Sequence, residues 1–184
     1  MRRSVPALCA TLAAALLGCG SEDGESADRA PTRPANVKGA PPELVAIRRQ
    51  ANQLLGGGKG AFERRLRELR GRPVVVNKWA SWCPPCRAEF PYFRSQADKR
   101  AKRVAFLGVD ANDNDADARE FLRKLPVPYP SYKDPDLAVS AVFNGVQAFP
   151  TTAFYDSRGK LAYLKQGGYA TERKLAEDLD RYAR

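Results

Sequence analysis

Cys83 and Cys86 stand two residues apart in the stretch WASWCPPCRAEFP, residues 79–91. Three chemistries use such a pair: metal binding, a structural disulfide, or thiol–disulfide exchange. Zinc would need two further ligands, but the chain has no histidine and no third plausible thiol. A structural disulfide across two intervening residues closes too small a loop to stabilise much. Exchange chemistry remains, and the surrounding residues favour it. Val74-Val75-Val76 opens a buried strand that runs to about Ala80, and a helix is predicted over roughly Cys86–Arg100. Cys83 then stands at a helix N-terminus, where unpaired N–H groups and the helix dipole stabilise a thiolate. Pro84 and Pro85 give up N–H groups that a first helical turn cannot use, and they hold the two sulfurs at bridging distance.

The two remaining cysteines belong to a different part of the chain. Arg2 and Arg3 precede the apolar run Val5–Leu17, which is too short for an easy membrane span and reads as a secretory signal over residues 1–18. The signal ends in Leu16-Leu17-Gly18-Cys19, which resembles a bacterial lipobox. Cys9 would be removed with the signal, and Cys19 would carry lipid as the mature N-terminus. The competing reading is an ordinary signal peptide with a chance cysteine. Export places Cys83 and Cys86 where disulfides are permitted. Residues 19–42 read as the lipid attachment and a flexible linker, polar and rich in Pro and Gly. The net charge is +10, from 31 Lys and Arg against 21 Asp and Glu. The basic residues are dispersed and form no run interleaved with aromatics, so nucleic acid is not an expected partner.

The elements that must position the pair follow from pattern. Leu44, Ile47, Ala51 and Leu54-Leu55 predict a helix over Glu43–Leu55, closed by Gly56-Gly57-Gly58. Phe62, Leu66 and Leu69 predict another over Ala61–Leu69. After the first strand and its helix come a strand over Val104–Val109 that ends in Asp110, and a helix near Asp117–Leu125. A proline-rich connection with room for a short strand leads to a short helix over Leu137–Phe143. Strands at Thr151–Tyr155 and Lys160–Gln166 and a Thr171-capped helix over Glu172–Ala183 complete the chain. The alternation implies an α/β fold: a mixed, mainly parallel sheet with helices on both faces and an antiparallel terminal hairpin.

Two segments, VVVNKWASWCPPCRAEFP and AFPTTAFYDSRGKL, resemble the thioredoxin-fold proteins, specifically the TlpA/ResA-like branch of membrane-anchored extracytoplasmic thiol–disulfide oxidoreductases. The resemblance covers about residues 60–184 and implies a thioredoxin-like domain over 43–184, with a helical lead-in at 43–70. It implies an extra αβ insert within about Asp110–Asp134 and a cis-proline at Pro150, beside Phe149 and Thr151. Cys83 resembles the attacking cysteine and Cys86 the resolving one, together a redox-active disulfide. Trp79 and Trp82 match the aromatic frame of the site, although core packing is the favoured reading of Trp79. Trp82, Pro84, Pro85, Phe149, Pro150 and Thr151 match the substrate-binding rim. Pro91 matches a proline that kinks the active-site helix. Glu89 matches an acid kept near the cysteines, against the plainer reading of a solvated helix glutamate.

There are departures. Cytosolic thioredoxins bury an aspartate where this chain has Asn77, and a partner lysine where it has Phe106, which leaves Glu89 to move the proton. Lys78 occupies a strand position that the family keeps large and apolar; it would snorkel to a sheet edge or pair with Asp110. The resemblance implies an enzyme without cofactor or metal that reduces disulfides of exported clients, in cytochrome c maturation or in reducing other exported disulfides. A membrane electron donor would re-reduce it, and lipid on Cys19 would hold it to the outer face of the cytoplasmic membrane. The alternatives are a non-catalytic thioredoxin-like binding module for an exported client, which would not need the cysteine pair, and a thiol peroxidase-like redoxin, which would want a Pro/Thr-rich peroxidatic site that is not seen.

Overall fold

The computed structural model describes residues 37–184. The signal, Cys9, Cys19 and most of the proposed linker lie outside the described residues. Along the chain the elements are α1 (Pro42–Arg49), β1 (Leu54–Leu55), α2 (Gly58–Glu68), β2 (Val74–Trp79), α3 (Pro84–Lys99), β3 (Ala105–Ala111), α4 (Asp115–Lys124), β4 (Ser131–Asp134), α5 (Ala138–Ala141), β5 (Thr151–Tyr155), β6 (Leu161–Gln166) and α6 (Glu172–Tyr182). Six strands form one sheet in the order β1-β4-β3-β2-β5-β6.

β2 lies in the middle, parallel to β3 and antiparallel to β5. All six residues of β2 and all seven of β3 are buried, as strands covered on both faces must be. β1–β4 and β4–β3 are also parallel, while β5–β6 is the antiparallel hairpin. Side chains alternate between the faces of a strand. Trp79 of β2 points to the face where Phe90 of α3 and Phe121 of α4 pack around its ring. Lys78, one residue earlier, points to the opposite face, towards the turn after α5. On that side Phe62 of α2 meets the rings of Tyr132 and Phe143. α4 and β4 are the αβ unit expected between Asp110 and Asp134. The layers are those of a thioredoxin-like fold.

The first helix differs from expectation. It ends at Arg49, and Leu54-Leu55 is a strand, paired with Ser131 and Tyr132. Asn52 is the reason. It takes a left-handed conformation (φ 62°), donates Nδ2–H to the Leu122 carbonyl, and accepts the Val127 N–H on Oδ1. These bonds turn the chain out of the helix and deliver the leucines to the sheet edge, where a short apolar pair serves either structure. β3 also continues through Asp110 to Ala111, because its pairing with β4 extends to Ala111↔Asp134.

Candidate functional site

Cys83 is the N-cap of α3. Its Sγ accepts the N–H of Cys86 at 3.2 Å, and its carbonyl accepts that of Arg87. Pro84 and Pro85 fill the first two helical positions, where they cost the helix no hydrogen bond. The two sulfurs are joined as a disulfide, with Cα atoms 5.3 Å apart. Both residues are buried; Cys83 keeps 2% of its surface and Cys86 none. Cys83, which resembles the attacking cysteine, therefore offers solvent only a small part of its surface and is not an openly exposed residue.

Glu89 follows Cys86 by three residues, on the same side of α3. It is fully buried, which corrects the reading of a solvated glutamate. The segment Gly168-Tyr169 lies over it: a Cβ on Gly168 would sit 3.6 Å from Glu89 Oε2 and 3.5 Å from Pro85. Oε2 accepts the Tyr169 N–H at 2.9 Å, and Oε1 accepts Asn77 Nδ2–H at 2.7 Å. Burial pushes the carboxyl up to about 7, opposed by the Tyr169 N–H, the Asn77 amide and the Lys165 charge. An acid so placed takes up and releases a proton near neutral pH. Asn77 is thus more than a missing aspartate. An amide at this position donates to Glu89, where a second carboxylate would repel it.

Trp82 is 53% exposed and is the large apolar side chain left open to solvent among the described residues. Its Nε1–H is held by the Asn112 carbonyl at 2.9 Å, and its ring lies 4.8 Å from that of Phe149. The Phe149–Pro150 bond is cis. Thr151 Oγ1 donates to the Ala148 carbonyl at 2.7 Å, and the Pro150 carbonyl accepts the Gly167 N–H at 2.8 Å. Contact between Trp82 and Phe149 brings the residue before Cys83 against the residue before Pro150. Trp79, by contrast, belongs to the core: it is fully buried, with Nε1–H on Ser131 Oγ. Pro91 lies inside α3.

Lys78 neither snorkels to the sheet edge nor pairs with Asp110. Asp110 is opposite Trp79 in the β2–β3 register and so projects to the other face. The Lys78 ammonium is fully buried, bound to the carbonyls of Gly145 and Val146. Asp110 is buried as well, and burial together with Asp113 and Asp115 pushes its carboxyl up to about 8, against the pull of Lys133. Asp113 in turn accepts the Ser81 N–H and hydroxyl, which fixes the turn that carries the cysteines. Sequence reasoning did not reach Asp113, Tyr169 or the Asn77–Glu89 bond. Of these, only the acidic run DANDND lies where a signal could be found.

No group of three or more His, Cys, Asp or Glu residues placed to hold a metal ion occurs among the described residues. The elements put a disulfide, a buried acid and a rim of two aromatic rings at the C-terminal end of β2. A match to the Redoxin family over residues 58–179 places the chain in that family. Among curated proteins, the thiol-disulfide oxidoreductase ResA of Halalkalibacterium halodurans is 28% identical over 116 residues, 62% of this chain and 65% of that protein. The dsbF protein of MTB, solved in mixed oxidised and reduced forms, superposes with a TM-score of 0.58 at 31% identity, over 62% of this chain and 84% of that one. The pneumococcal exposed lipoprotein thioredoxin (Etrx1) of Streptococcus pneumoniae superposes with a TM-score of 0.55 at 25% identity, over 63% and 89%. The chain spans between 52% and 65% of the length of the first curated relatives it matches.

Proposed function

We propose that the protein is an extracytoplasmic thiol–disulfide oxidoreductase that reduces disulfides in exported clients. The observation that carries this reading is the Cys83–Cys86 pair at the start of α3 with Glu89 buried three residues on. In the reduced protein, the Cys83 thiolate attacks a client disulfide. One S–S bond breaks, a mixed disulfide forms, and the client's leaving sulfur takes a proton from solvent. Cys86 then gives its proton to the Glu89 carboxylate and attacks Cys83 Sγ. The mixed disulfide breaks, the second client thiol leaves, and the Cys83–Cys86 disulfide remains. A donor of two electrons and two protons must restore the dithiol.

The Phe149 peptide N–H and carbonyl make no hydrogen bond among the described residues, while the carbonyls on either side, of Ala148 and Pro150, are engaged. An extended client segment pairs with that free edge like an added strand, with Trp82 alongside. Cys19 carries lipid and residues 19–42 tether the domain to the outer face of the cytoplasmic membrane. The lipobox-like residues and the likeness to a pneumococcal lipoprotein support this anchor. Cytochrome c maturation is the role we assign first among exported clients, from the resemblance to the TlpA/ResA-like branch. The test is reduction of insulin disulfides with a thiol donor. Turnover that disappears in Cys83→Ser is expected. A protein with both cysteines intact that binds clients without turning over would be a binding module instead.

A further inference from the structure

A lysine with no exposed surface inside a central strand is costly unless its charge is used. Lys78 Nζ donates to the Gly145 carbonyl at 2.6 Å and to the Val146 carbonyl at 3.1 Å, and lies 3.7 Å from the centre of the Phe149 ring. It therefore holds both ends of the segment that leads into the cis-proline: two carbonyls at its start, an aromatic face at its end. Gly145 is itself fixed. Its N–H is on the Ser140 carbonyl, and a Cβ there would fall 2.1 Å from the Phe143 ring. Ser140 is anchored in turn by the Asp134 carboxylate through its N–H and hydroxyl. Asp134 is also the acid whose charge favours the ammonium, against the burial that pushes Lys78 down to about 8. At the far end Thr151, opposite Lys78 in the β2–β5 register, closes the segment onto the Ala148 carbonyl.

We propose that Lys78 is a positioning residue for client recognition: its buried ammonium fixes the Gly145–Phe149 segment so that the free peptide edge of Phe149 and the Phe149–Trp82 ring pair meet the client in one geometry. The inference rests on the proposed docking of clients at that edge. The hydrogen bonds of the Lys78 ammonium go to Gly145 and Val146 and its ring contact to Phe149, all on this one segment, so it acts on the site through Gly145–Phe149. Its loss affects substrates long enough to lie along the segment and spares those that reach only the sulfur.

The experiment compares two substrates: a disulfide-bonded peptide of about ten residues, and oxidised 2-mercaptoethanol. Unaltered protein is expected to prefer the peptide. Lys78→Met keeps the stem and removes the ammonium. It is expected to raise KM for the peptide about tenfold with kcat nearly unchanged, and to leave the rate with oxidised 2-mercaptoethanol within twofold. Should Lys78→Met not fold, Lys78→Gln carries the same comparison with a shorter, uncharged polar head, and a rise of about threefold or more is expected. Equal loss with both substrates would make Lys78 a structural residue and overturn the inference. A peptide preference fully retained in the variants would overturn it alone. No peptide preference in the unaltered protein would overturn the docking reading and this inference with it.

Discussion

Replacing Glu89 by glutamine removes the proposed proton acceptor and keeps the shape. Its structural cost can be followed atom by atom. The carboxylate accepts from two donors, the Tyr169 N–H and Asn77 Nδ2–H, whereas an amide has one oxygen and an N–H2. Asn77 resolves the conflict, because its Oδ1 has no partner among the described residues. Turning the Asn77 amide over lets the new N–H2 donate to that oxygen, while the new carbonyl keeps the Tyr169 N–H. The fold is therefore retained at about 1 kcal/mol or less at low pH, about one neutral hydrogen bond. Stability then diverges with pH. Burial raises the Glu89 pKa from 4.5 to about 7, so the charged form is the one that folding disfavours. As pH climbs from 4.5 to 7 the unaltered protein loses roughly 3 kcal/mol that the glutamine variant keeps, and it loses no more above that range. Urea unfolding at pH 5 and pH 8 measures the difference. The rate effect also has a sign. Below pH 7 Glu89 is protonated and cannot take the Cys86 proton, so both proteins resolve a mixed disulfide at similar rates. Above pH 7 the unaltered protein is faster, by about 10²-fold, the lower end of acid–base assistance because water can substitute. Stopped-flow release of client from the preformed mixed disulfide gives the ratio of rates. A ratio that stays flat from pH 5 to pH 9 would refute the assignment of Glu89 as proton acceptor.

Three further outcomes are expected. Cys86→Ser should accumulate client on Cys83 as mixed disulfide, seen on non-reducing gels, and Cys83→Ser should not; equal accumulation would count against the roles given to the two sulfurs. Mass spectrometry of the mature N-terminus should find diacylglyceryl on Cys19, and a product that starts elsewhere and is released to the medium would remove the anchor. Gly108→Ala should destabilise by about 1–3 kcal/mol or more in urea titration, because its Cβ would fall 2.1 Å from Ser131 Oγ and 3.1 Å from Trp79 Nε1; unchanged stability would mean that the sheet yields freely there.

The apolar run Val74-Val75-Val76, the cysteine pair at the start of a helix and the hairpin around Asp156–Gly159 were legible because each is a local pattern with a local cause. Thr151–Tyr155 is a strand over the very residues its composition suggests. What stayed hidden depends on distant chain. Leu54-Leu55 looked helical because nothing nearby reveals that Asn52 bonds to Leu122 and Val127. The burial of Glu89 could not be read, and the solvated alternative stayed open, because its cover, Gly168-Tyr169, comes some eighty residues later. Lys78 looked misplaced in an apolar strand because its acceptors are backbone carbonyls, which every sequence contains and none advertises.

The prolines between the cysteines carry a consequence for redox tuning. At a helix start the N–H groups of the second and third positions can both point at the capping side chain. Pro85 occupies the second position and has none, so among the described residues the Cys83 sulfur is served by the Cys86 N–H alone. The number of donors offered to the thiolate is thus set by which residue stands before Cys86. Pro85→Thr would offer the thiolate a second donor and so favour the dithiol over the disulfide, shifting the couple towards an oxidant, which equilibration with a glutathione redox buffer would measure. Proline at both positions therefore leaves the Cys83 sulfur with the fewest helix-start donors, and the residue before Cys86 is the place where that number can be changed.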